Sequence, residues 1–232
     1  MDIQHHFIEH GNGFPLILLH GNGEDSTYFE NQISAFSPMF HIYAVDTRGH
    51  GKTARGTAPF TIRQFADDLA GFMTSRHIEK ADILGFSDGA NIAMLFALKY
   101  PALVNKLILN GGNLDARGVK LMTQLPIEIG YRIAKLFAGR SDSAKAKAEM
   151  LGLMVNDPDI KPEELAAIKA PTLVIAGTDD MIKGSHTKLI AANIPGAELS
   201  FIKGDHFIAG RNPAEFNQKV LEFLQKYFRS QL

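Results

Sequence analysis

The chain has 232 residues, of which 45% are hydrophobic and 21% charged, a composition typical of ordinary globular proteins. Its 24 Lys and Arg residues balance 25 Asp and Glu residues, for a formal net charge of -1, which excludes the basic footprint of nucleic-acid or anionic-membrane binding. The absence of cysteine excludes disulfides, thiolate metal sites and a cysteine nucleophile. It is also typical of a reducing compartment, so we expect a cytoplasmic protein.

No targeting segment is expected. The beginning of the chain, MDIQHHFIEHG, has no basic region followed by an apolar stretch, as a signal peptide would. Apolar runs also stay shorter than the roughly 18 residues that indicate a membrane span.

Seven short apolar runs have the pattern of strands. The later ones are nearly continuous in Ile, Leu and Val, as expected for strands that are covered on both faces. Gly11 and Gly13 lie between the first two runs and predict a tight reversal of the chain. In chain order the runs cover residues 3–11, 14–21, 40–46, 80–87, 104–111, 170–177 and 197–204.

Helical patterns lie between these runs. Strand alternating with helix predicts an α/β protein with a mostly parallel, twisted sheet and helices on both faces. The predicted helices cover residues 27–36, 61–75, 90–100, 185–193 and 213–229.

The interval 114–170 breaks this rhythm, because it has helical patterning and no convincing strand. We interpret it as two or three small helices over the sheet edge, a helical cap inserted into a core of residues 1–113 and 171–232. The alternative is that these helices are only connections. The residues expected to divide the interval are Pro126, Gly130, Gly139, Pro158 and Pro162.

Two glycine-rich turns suggest nucleotide loops, and both match only in part. In LLHGNGEDS, Gly21 and Gly23 match the first two glycines of a dinucleotide-binding loop, but Ser26 stands where the third glycine belongs. The turn VDTRGHGKT ends like a phosphate loop, yet Asp46 stands where that loop needs glycine. We interpret the second as a tight turn held by Asp46 and Arg48.

The third turn is GFSDG, in which Gly85 and Gly89 bracket Ser87 between a predicted strand and a predicted helix. A sharp strand-to-helix turn strains the serine backbone and leaves no room for a side chain at either glycine. Such a turn presents the hydroxyl above the sheet, beside the free N–H groups of the helix. An ordinary helix cap is the alternative, but it leaves both glycines unexplained.

A nucleophilic serine needs a base within hydrogen-bond reach and an acid that orients the base. His206 fits the base, because it follows the last strand in a loop that can return to the carboxyl edge of the sheet. His20 and His50 belong to turns at the same edge and could line the site. Four further histidines are interpreted as surface residues, namely His5, His6, His10 and His186.

The candidate acids, Asp179 and Asp180, follow the buried run LVIAG. Two adjacent acids at such a position are costly unless one has a partner, although a pair of solvated loop acids is the alternative. Asp115 is a further candidate. Asp205 adjoins the proposed base in sequence and is poorly placed to reach its ring.

Together these motifs resemble the α/β-hydrolase family over almost the whole chain. The chain shows the HGNG turn at 20–23, the DTRGHG turn at 46–51, the GFSDG elbow, the acid after LVIAG and GDHF near the end, in the order serine, acid, histidine. The resemblance implies an eight-stranded sheet and a cap domain. Since seven runs are found, we expect seven or eight strands and a small cap.

The resemblance also implies roles. Ser87 would be the nucleophile, His206 the base and Asp180, third after the strand-ending glycine, the acid. The oxyanion hole would consist of the backbone N–H groups of Asn22 and Asp88, with the Asp88 side chain pointing away. The expected reaction is acyl transfer to water, most simply ester hydrolysis, with no metal and no cofactor. Relatives use the same triad on amides, on carbon–carbon bonds beside ketones, or as perhydrolases.

The expected partner is a small-molecule substrate with a modest apolar group, for a monomer or homodimer that binds no nucleic acid and no membrane. A ligand-binding protein without turnover is the alternative outside enzymology. Most apolar residues of the interval 114–170 are expected to form the cap's own core. The candidates for lining the substrate pocket are His20, Met122, Leu125, Ile129, Tyr131 and Phe207.

Overall fold

The computed structural model describes residues 2–226, and its strands are β1 (Phe7–His10), β2 (Phe14–Leu19), β3 (Phe40–Val45), β4 (Ala81–Phe86), β5 (Val104–Asn110), β6 (Thr172–Gly177) and β7 (Glu198–Ile202). They form one sheet in the order β1-β3-β2-β4-β5-β6-β7. β1 is antiparallel to β3, and the other neighbouring pairs are parallel. The predicted α/β class with a mostly parallel sheet is therefore confirmed.

β1 and β2 are neighbours in the chain but not in the sheet. Gly11, with φ +78°, reverses the chain as expected, yet β1 pairs with β3 and β2 lies between β3 and β4. The difference follows from burial. β2 is apolar enough to be covered on both faces, whereas half of β1 is exposed, and such a strand belongs at a sheet edge.

Helices cover both faces of the sheet, as predicted. They are α1 (Glu30–Phe36), α2 (Ile62–Ser75), α3 (Asp88–Lys99), α4 (Leu121–Phe137), α5 (Asp142–Asn156), α6 (Gly184–Asn193), α7 (Ile208–Arg211) and α8 (Pro213–Lys226). The predicted extension of the last helix to residue 229 lies outside the described residues. Within residues 2–226, no helix has both the length and the apolar character that crossing a bilayer requires.

Alternate residues of β2 belong to two separate hydrophobic cores, one on each face of the sheet. Ile17 and Leu19 belong to a buried cluster with α2, α3 and α6, whereas Leu16 and Leu18 belong to a second cluster with α1, α7 and α8. Successive strand residues point to opposite faces, so each face of the sheet has its own core.

The segment between β5 and β6 is helical, as predicted, but α4 runs without a break through Pro126 and Gly130, which were expected to divide it. A proline in a helix interior leaves the carbonyl four residues earlier without its helical partner. Here that carbonyl belongs to Met122, and both Met122 and Pro126 are exposed, so water can bind it.

This segment is joined to the sheet core at its end. α4 and α5 pack against each other, and a short 3-10 helix, Pro162–Ala167, follows them. Leu153, Leu165 and Ile168 belong to the same buried cluster as β2 and α3. The last part of the interval 114–170 therefore packs within the main core.

Asp46 and Arg48 hold the DTRGHG turn, as its sequence suggests. Asp46 accepts hydrogen bonds from the amides of Ser26 at 2.7 Å and Lys52 at 2.9 Å. The Arg48 guanidinium is buried and donates twice to Asp68, each time at 2.7 Å. The turn is thereby fixed beside the carboxyl end of β2, where the HGNG turn begins.

Candidate active site

Ser87 lies between β4 and α3 with φ 53° and ψ −118°, a conformation that residues other than glycine rarely adopt. The flanking glycines permit the close contacts of this turn. A Cβ on Gly85 would lie 2.2 Å from the carbonyl oxygen of Gly89, and a Cβ on Gly89 would lie 1.9 Å from that of Leu19. Because these neighbours are backbone atoms, a side chain at either glycine would displace the turn.

Three side chains from separate loops meet at this edge of the sheet. His206, in the loop after β7, has its Nε2 3.0 Å from the Ser87 hydroxyl. Its Nδ1 is 2.6 Å from Oδ1 of Asp180, which follows β6. The imidazole and the carboxylate are almost completely buried. A hydroxyl, an imidazole and a carboxylate thus form one hydrogen-bonded line.

The two adjacent acids after β6 have different surroundings. Asp180 is buried, and its Oδ1 also accepts a hydrogen bond from the Ile182 amide at 2.9 Å. Asp179 is exposed, and its Oδ2 accepts a hydrogen bond from the Thr178 hydroxyl at 3.2 Å. The acid in contact with His206 is Asp180.

The other two acids that the sequence raised have local partners instead. Oδ1 of Asp115 accepts a hydrogen bond from the Arg117 amide at 2.7 Å. Asp205 accepts one from the Phe207 amide at 2.9 Å and pairs with the exposed Arg211. Both acids therefore stabilise their own loops.

Gly111 and an aromatic ring hold the imidazole in place. Gly111 has φ +63°, and a Cβ there would lie 2.8 Å from Cε1 and 3.0 Å from Nδ1 of His206. The Phe86 ring centroid is 4.8 Å from that of the imidazole. The space available to the ring thus depends on the end of β5 as well as on its own loop.

Two backbone amides are candidates for binding a negatively charged oxygen beside the hydroxyl. Asp88 is the first residue of α3, so its N–H has no partner within the helix. The HGNG turn also approaches the elbow, because a Cβ on Gly21 would lie 3.1 Å from Cβ of Ser87. Asn22 follows Gly21 directly, so both predicted amides lie close to Ser87.

Glu24 is a further carboxyl group at the site, and no sequence motif marks it. Its Oε2 accepts a hydrogen bond from the Gly21 amide at 3.1 Å, which brings the carboxyl group near Ser87. Burial raises the pKa of Glu24 to about 7, although the Gly21 hydrogen bond and His206 act in the opposite direction. The edge of the site therefore carries partial negative charge at neutral pH.

The Asp88 side chain is buried and points toward the HGNG turn. Its Oδ2 accepts a hydrogen bond from Nδ2 of Asn22 at 3.0 Å, and its Oδ1 accepts one from Nδ2 of Asn91 at 3.4 Å. Burial raises the pKa of Asp88 to about 6, and the two amide donors partly oppose this shift.

The amide partners of Asp88 extend to the insertion between β5 and β6. Nδ2 of Asn22 also donates a hydrogen bond to the carbonyl of Met150 in α5, at 2.9 Å. Nδ2 of Asn91 donates to Oδ1 of Asn113 at 3.0 Å, and the Asn113 amide donates back to Asn91 at 2.9 Å. The HGNG turn is thus tied to α5, and Asn91 in α3 is tied to the loop that follows β5.

His20 supports the HGNG turn from within the protein. Its Nε2 accepts a hydrogen bond from the Thr47 amide at 3.0 Å, so its Nδ1 carries the proton and donates to the Gly21 carbonyl at 2.7 Å. Burial, followed by the neighbouring His50, lowers the pKa of His20 to about 4. A neutral, buried imidazole suits a supporting residue better than a pocket wall.

The other pocket candidates divide into two groups. The Phe207 ring lies next to the hydrogen-bonded line, with its centroid 5.6 Å from that of His206. Met122, Leu125 and Ile129 instead lie on the outer face of α4, where Met122 is 87% exposed and the other two are 51% exposed. The expectation that these three line a pocket or form the cap's core was wrong, because α4 packs with its opposite face against α5.

Tyr131 lies on the packed side of α4. Its hydroxyl accepts a hydrogen bond from Nδ2 of Asn156 in α5 at 3.2 Å, and the Lys135 ammonium lies 5.4 Å from its ring centroid. The hydrogen bond with Asn156 joins α4 to α5.

Of the histidines expected at the surface, His5 is buried and His186 is partly buried. His5 is buried against an aromatic ring of α2. His186 accepts a hydrogen bond from the Leu114 amide at 2.9 Å. Of the remaining histidines in that group, His6 is partly exposed and His10 is exposed. Across residues 2–226, no cluster of three or more His, Cys, Asp or Glu side chains is arranged to hold a metal ion.

With this geometry in view, comparison with known proteins identifies the class. A family model described as alpha/beta hydrolase fold matches residues 15–149, which is more than half of the chain. The chain belongs to this family, and it is a hydrolase.

Individual relatives match over nearly the whole chain. The proposed carbamate hydrolase RutD of Rhizobium rhizogenes is 30% identical over 95% of this chain and 97% of its own. The 2-hydroxy-6-oxononadienedioate/2-hydroxy-6-oxononatrienedioate hydrolase of Burkholderia vietnamiensis is 28% identical over 97% of this chain and 92% of its own. The crystal structure of the enol-lactonase from Burkholderia xenovorans superposes with a TM-score of 0.81 at 21% identity, covering 96% of this chain and 97% of that one, and shows the shared fold.

The contact between Gly111 and the imidazole predicts the effect of one methyl group. Gly111→Ala should destabilise the protein by about 2 kcal/mol or more, because strain at positive φ adds to a collision with His206. Gly196→Ala is the matched control, since Gly196 has φ +72° and a Cβ there meets nothing within 4 Å. Urea unfolding gives the free energy of unfolding of both variants, and the difference between their losses of stability measures the collision with His206. Equal losses of stability would contradict the tight contact.

The raised pKa of Asp88 predicts a pH-dependent stability. The folded state holds the Asp88 proton more tightly than the unfolded state, so this contribution is complete below pH 3.8 and disappears as the pH rises through about 6. Asp88→Asn cannot ionise. Its free energy of unfolding should therefore rise relative to the parent protein between pH 4 and pH 7.5, by up to about 3 kcal/mol. Urea unfolding of both proteins at several pH values measures this difference, and a pH-independent difference would contradict it.

Proposed function

We propose that the protein is a serine hydrolase that cleaves a carboxylic ester through an acyl-enzyme intermediate. The observation that carries this proposal is the line of hydrogen bonds from Ser87 through His206 to Asp180, 3.0 Å and 2.6 Å long. A serine hydroxyl is a weak nucleophile until a base accepts its proton. In this proposal His206 is that base, and Asp180 orients the imidazole and stabilises it once it is protonated.

The first half-reaction forms the acyl-enzyme. Ser87 Oγ attacks the carbonyl carbon of the ester while its proton moves to Nε2 of His206. The negative charge that develops on the carbonyl oxygen is bound by the amides of Asn22 and Asp88, each worth about 3–4 kcal/mol of the barrier. Collapse of the tetrahedral intermediate breaks the bond to the alcohol oxygen, which takes the proton from the imidazolium.

The second half-reaction releases the acid. A water molecule gives its proton to His206 and attacks the acyl carbon, and a second oxyanion forms in the same place. Collapse returns the proton to Ser87 Oγ and frees the carboxylic acid. Charge builds up on the same carbonyl oxygen in both steps, so one pair of amides serves both.

The charge at the site favours an uncharged substrate. Glu24 carries a partly ionised carboxyl group next to the HGNG turn, and Asp180 is a buried acid behind the imidazole. A substrate with carboxylates near its reacting carbonyl would be repelled there, as like charges at short range are. This disfavours a dianionic dienedioate, although a relative 28% identical is named for such a substrate. A neutral ester meets no such repulsion.

A carbamate is the second candidate substrate. A relative that is 30% identical over 95% of this chain is described as a proposed carbamate hydrolase. A carbamate differs from an ester in bearing nitrogen on its carbonyl, so the same nucleophile, base and oxyanion donors would act on it. The proposed location is the cytoplasm, on the basis of the cysteine-free composition.

An activity screen together with a covalent probe tests the proposal. A fluorophosphonate should label the protein stoichiometrically at Ser87, and Ser87→Ala should abolish the label and lower turnover at least about 10⁴-fold. The substrates should be neutral esters of increasing acyl length, a carbamate, a dienedioate carbon–carbon substrate and a carboxylate with hydrogen peroxide, which gives a peracid and water. If the protein prefers the carbon–carbon substrate or the formation of a peracid, that activity replaces ester hydrolysis as its proposed function. No labelling of folded protein would favour a ligand-binding protein.

The two adjacent acids allow a matched pair of variants. Asp180→Asn should lower kcat about 10⁴-fold, because the imidazole loses the charge that fixes its tautomer and stabilises its protonated form. Asp179→Asn removes an exposed carboxylate one residue away and should keep kcat within a few-fold of the parent. Steady-state kinetics on the best ester compares them. A larger loss in Asp179→Asn would show that the acid is assigned wrongly.

A further inference from the structure

The outer face of α4 carries an unusual concentration of exposed apolar side chains. Their exposed fractions lie between 48% and 87%, and they run along the whole length of the helix. We refer to them as the α4 stripe, which consists of Leu121, Met122, Leu125, Ile129, Ile133, Leu136 and Phe137.

The size of the α4 stripe exceeds what a monomer ordinarily exposes. At these exposed fractions the seven side chains present on the order of 800 Å² of surface, against roughly 300–600 Å² for the largest apolar patch on a typical monomer. About 800 Å² per partner is also what a standard protein–protein interface buries. The patch is therefore large enough to support a stable contact.

The α4 stripe is symmetric about its centre, Ile129. Leu125 and Ile133 lie four residues on either side of it, Met122 and Leu136 seven, and Leu121 and Phe137 eight. An antiparallel copy of the helix, related by a two-fold axis at Ile129, therefore sets each apolar residue opposite another apolar residue. Such a self-complementary patch is what a two-fold interface requires.

The charged residues at one rim of the stripe fit the same arrangement. Arg132 and Glu128 lie about 60° and 100° around the helix from Ile129, on the same side. A two-fold axis at Ile129 brings the same rims of the two helices together. It sets Arg132 within about 3 Å, along the helix axis, of Glu128 of the partner subunit. Opposite charges then meet twice across the interface, a pattern that steers partners into register.

We propose that the protein is a homodimer in which the α4 helices of two copies pack antiparallel through the α4 stripe. A lipid surface would also accept an apolar helix face, but binding to membranes relies on a basic polar face, and here the same rim carries the acid Glu128 beside Arg132 and Lys135, in a chain of net charge -1. The mirror-like spacing about Ile129 would serve no purpose on a membrane, whereas it decides the fit between two copies.

Sedimentation equilibrium tests the dimer and its surface. The parent protein should be a dimer, and Ile129→Asp should be monomeric with an unchanged far-ultraviolet circular dichroism spectrum, since Ile129 is half exposed in the single chain. Leu189→Asp, at an exposed leucine of α6, is the matched control and should remain a dimer. A monomeric parent protein, or a dimer that survives Ile129→Asp, overturns the proposal. Flotation of a monomeric parent protein with anionic vesicles would assign the stripe to lipid.

Two further variants test the antiparallel register. The chain has no cysteine, so Ile129→Cys carries a single thiol that would face its own copy across the two-fold axis. Mild oxidation should give a covalent dimer, and Leu189→Cys should not. Arg132→Glu and Glu128→Arg should each weaken the dimer by several-fold, and the double exchange should restore it. If the double exchange does not restore the dimer and Ile129→Cys forms no covalent dimer, the two-fold arrangement is wrong.

Discussion

The strained turn at Ser87 is the constraint on which the rest of the site depends. A non-glycine residue at φ 53° costs of order 1–3 kcal/mol and persists only where its surroundings over-determine it. At Ser87 the surroundings impose this conformation through backbone packing. α3 approaches β2 so closely that Gly89 has no space for a Cβ beside the Leu19 carbonyl. The same contact that strains the serine also aims the N-terminus of α3 at the space beside its hydroxyl. The strain at Ser87 and the direction of α3 thus depend on the same contact.

Several ionisable groups are buried around this turn, and their partners explain how the fold tolerates them. Asp180 has the imidazole and a backbone amide, while Asp88 has two side-chain amides. Asn22, which donates a hydrogen bond to Asp88, also donates one to the Met150 carbonyl in α5. The geometry of the HGNG turn therefore depends on where the insertion lies, through the hydrogen bond between Asn22 and Met150.

The insertion has two faces with different uses. Its inner side packs α4 against α5 and joins the main core through Leu153 and Leu165. Its outer side is the α4 stripe, which a single chain leaves in water at a cost of about 25 cal/mol for each Å² of apolar surface. Pairing with a second copy would remove that surface from water. It would also fix α4, which among the described elements packs mainly on α5.

The sequence by itself determined the parts of this protein that follow from local chemistry. Alternation of strand and helix gave the fold class, and the glycines around Ser87 gave the elbow, because backbone strain and steric room are encoded within a few residues. Tertiary structure alone decided which strands pair, since β1 and β2 are joined by a turn that does not reveal their neighbours. The resemblance favoured Asp180 as the acid, but the contact between Asp180 and the imidazole, the position of Glu24 beside the HGNG turn and the exposure of Met122 come from the tertiary structure. These facts depend on contacts between residues far apart in the chain, and no local pattern records which face of a helix the rest of the fold will cover.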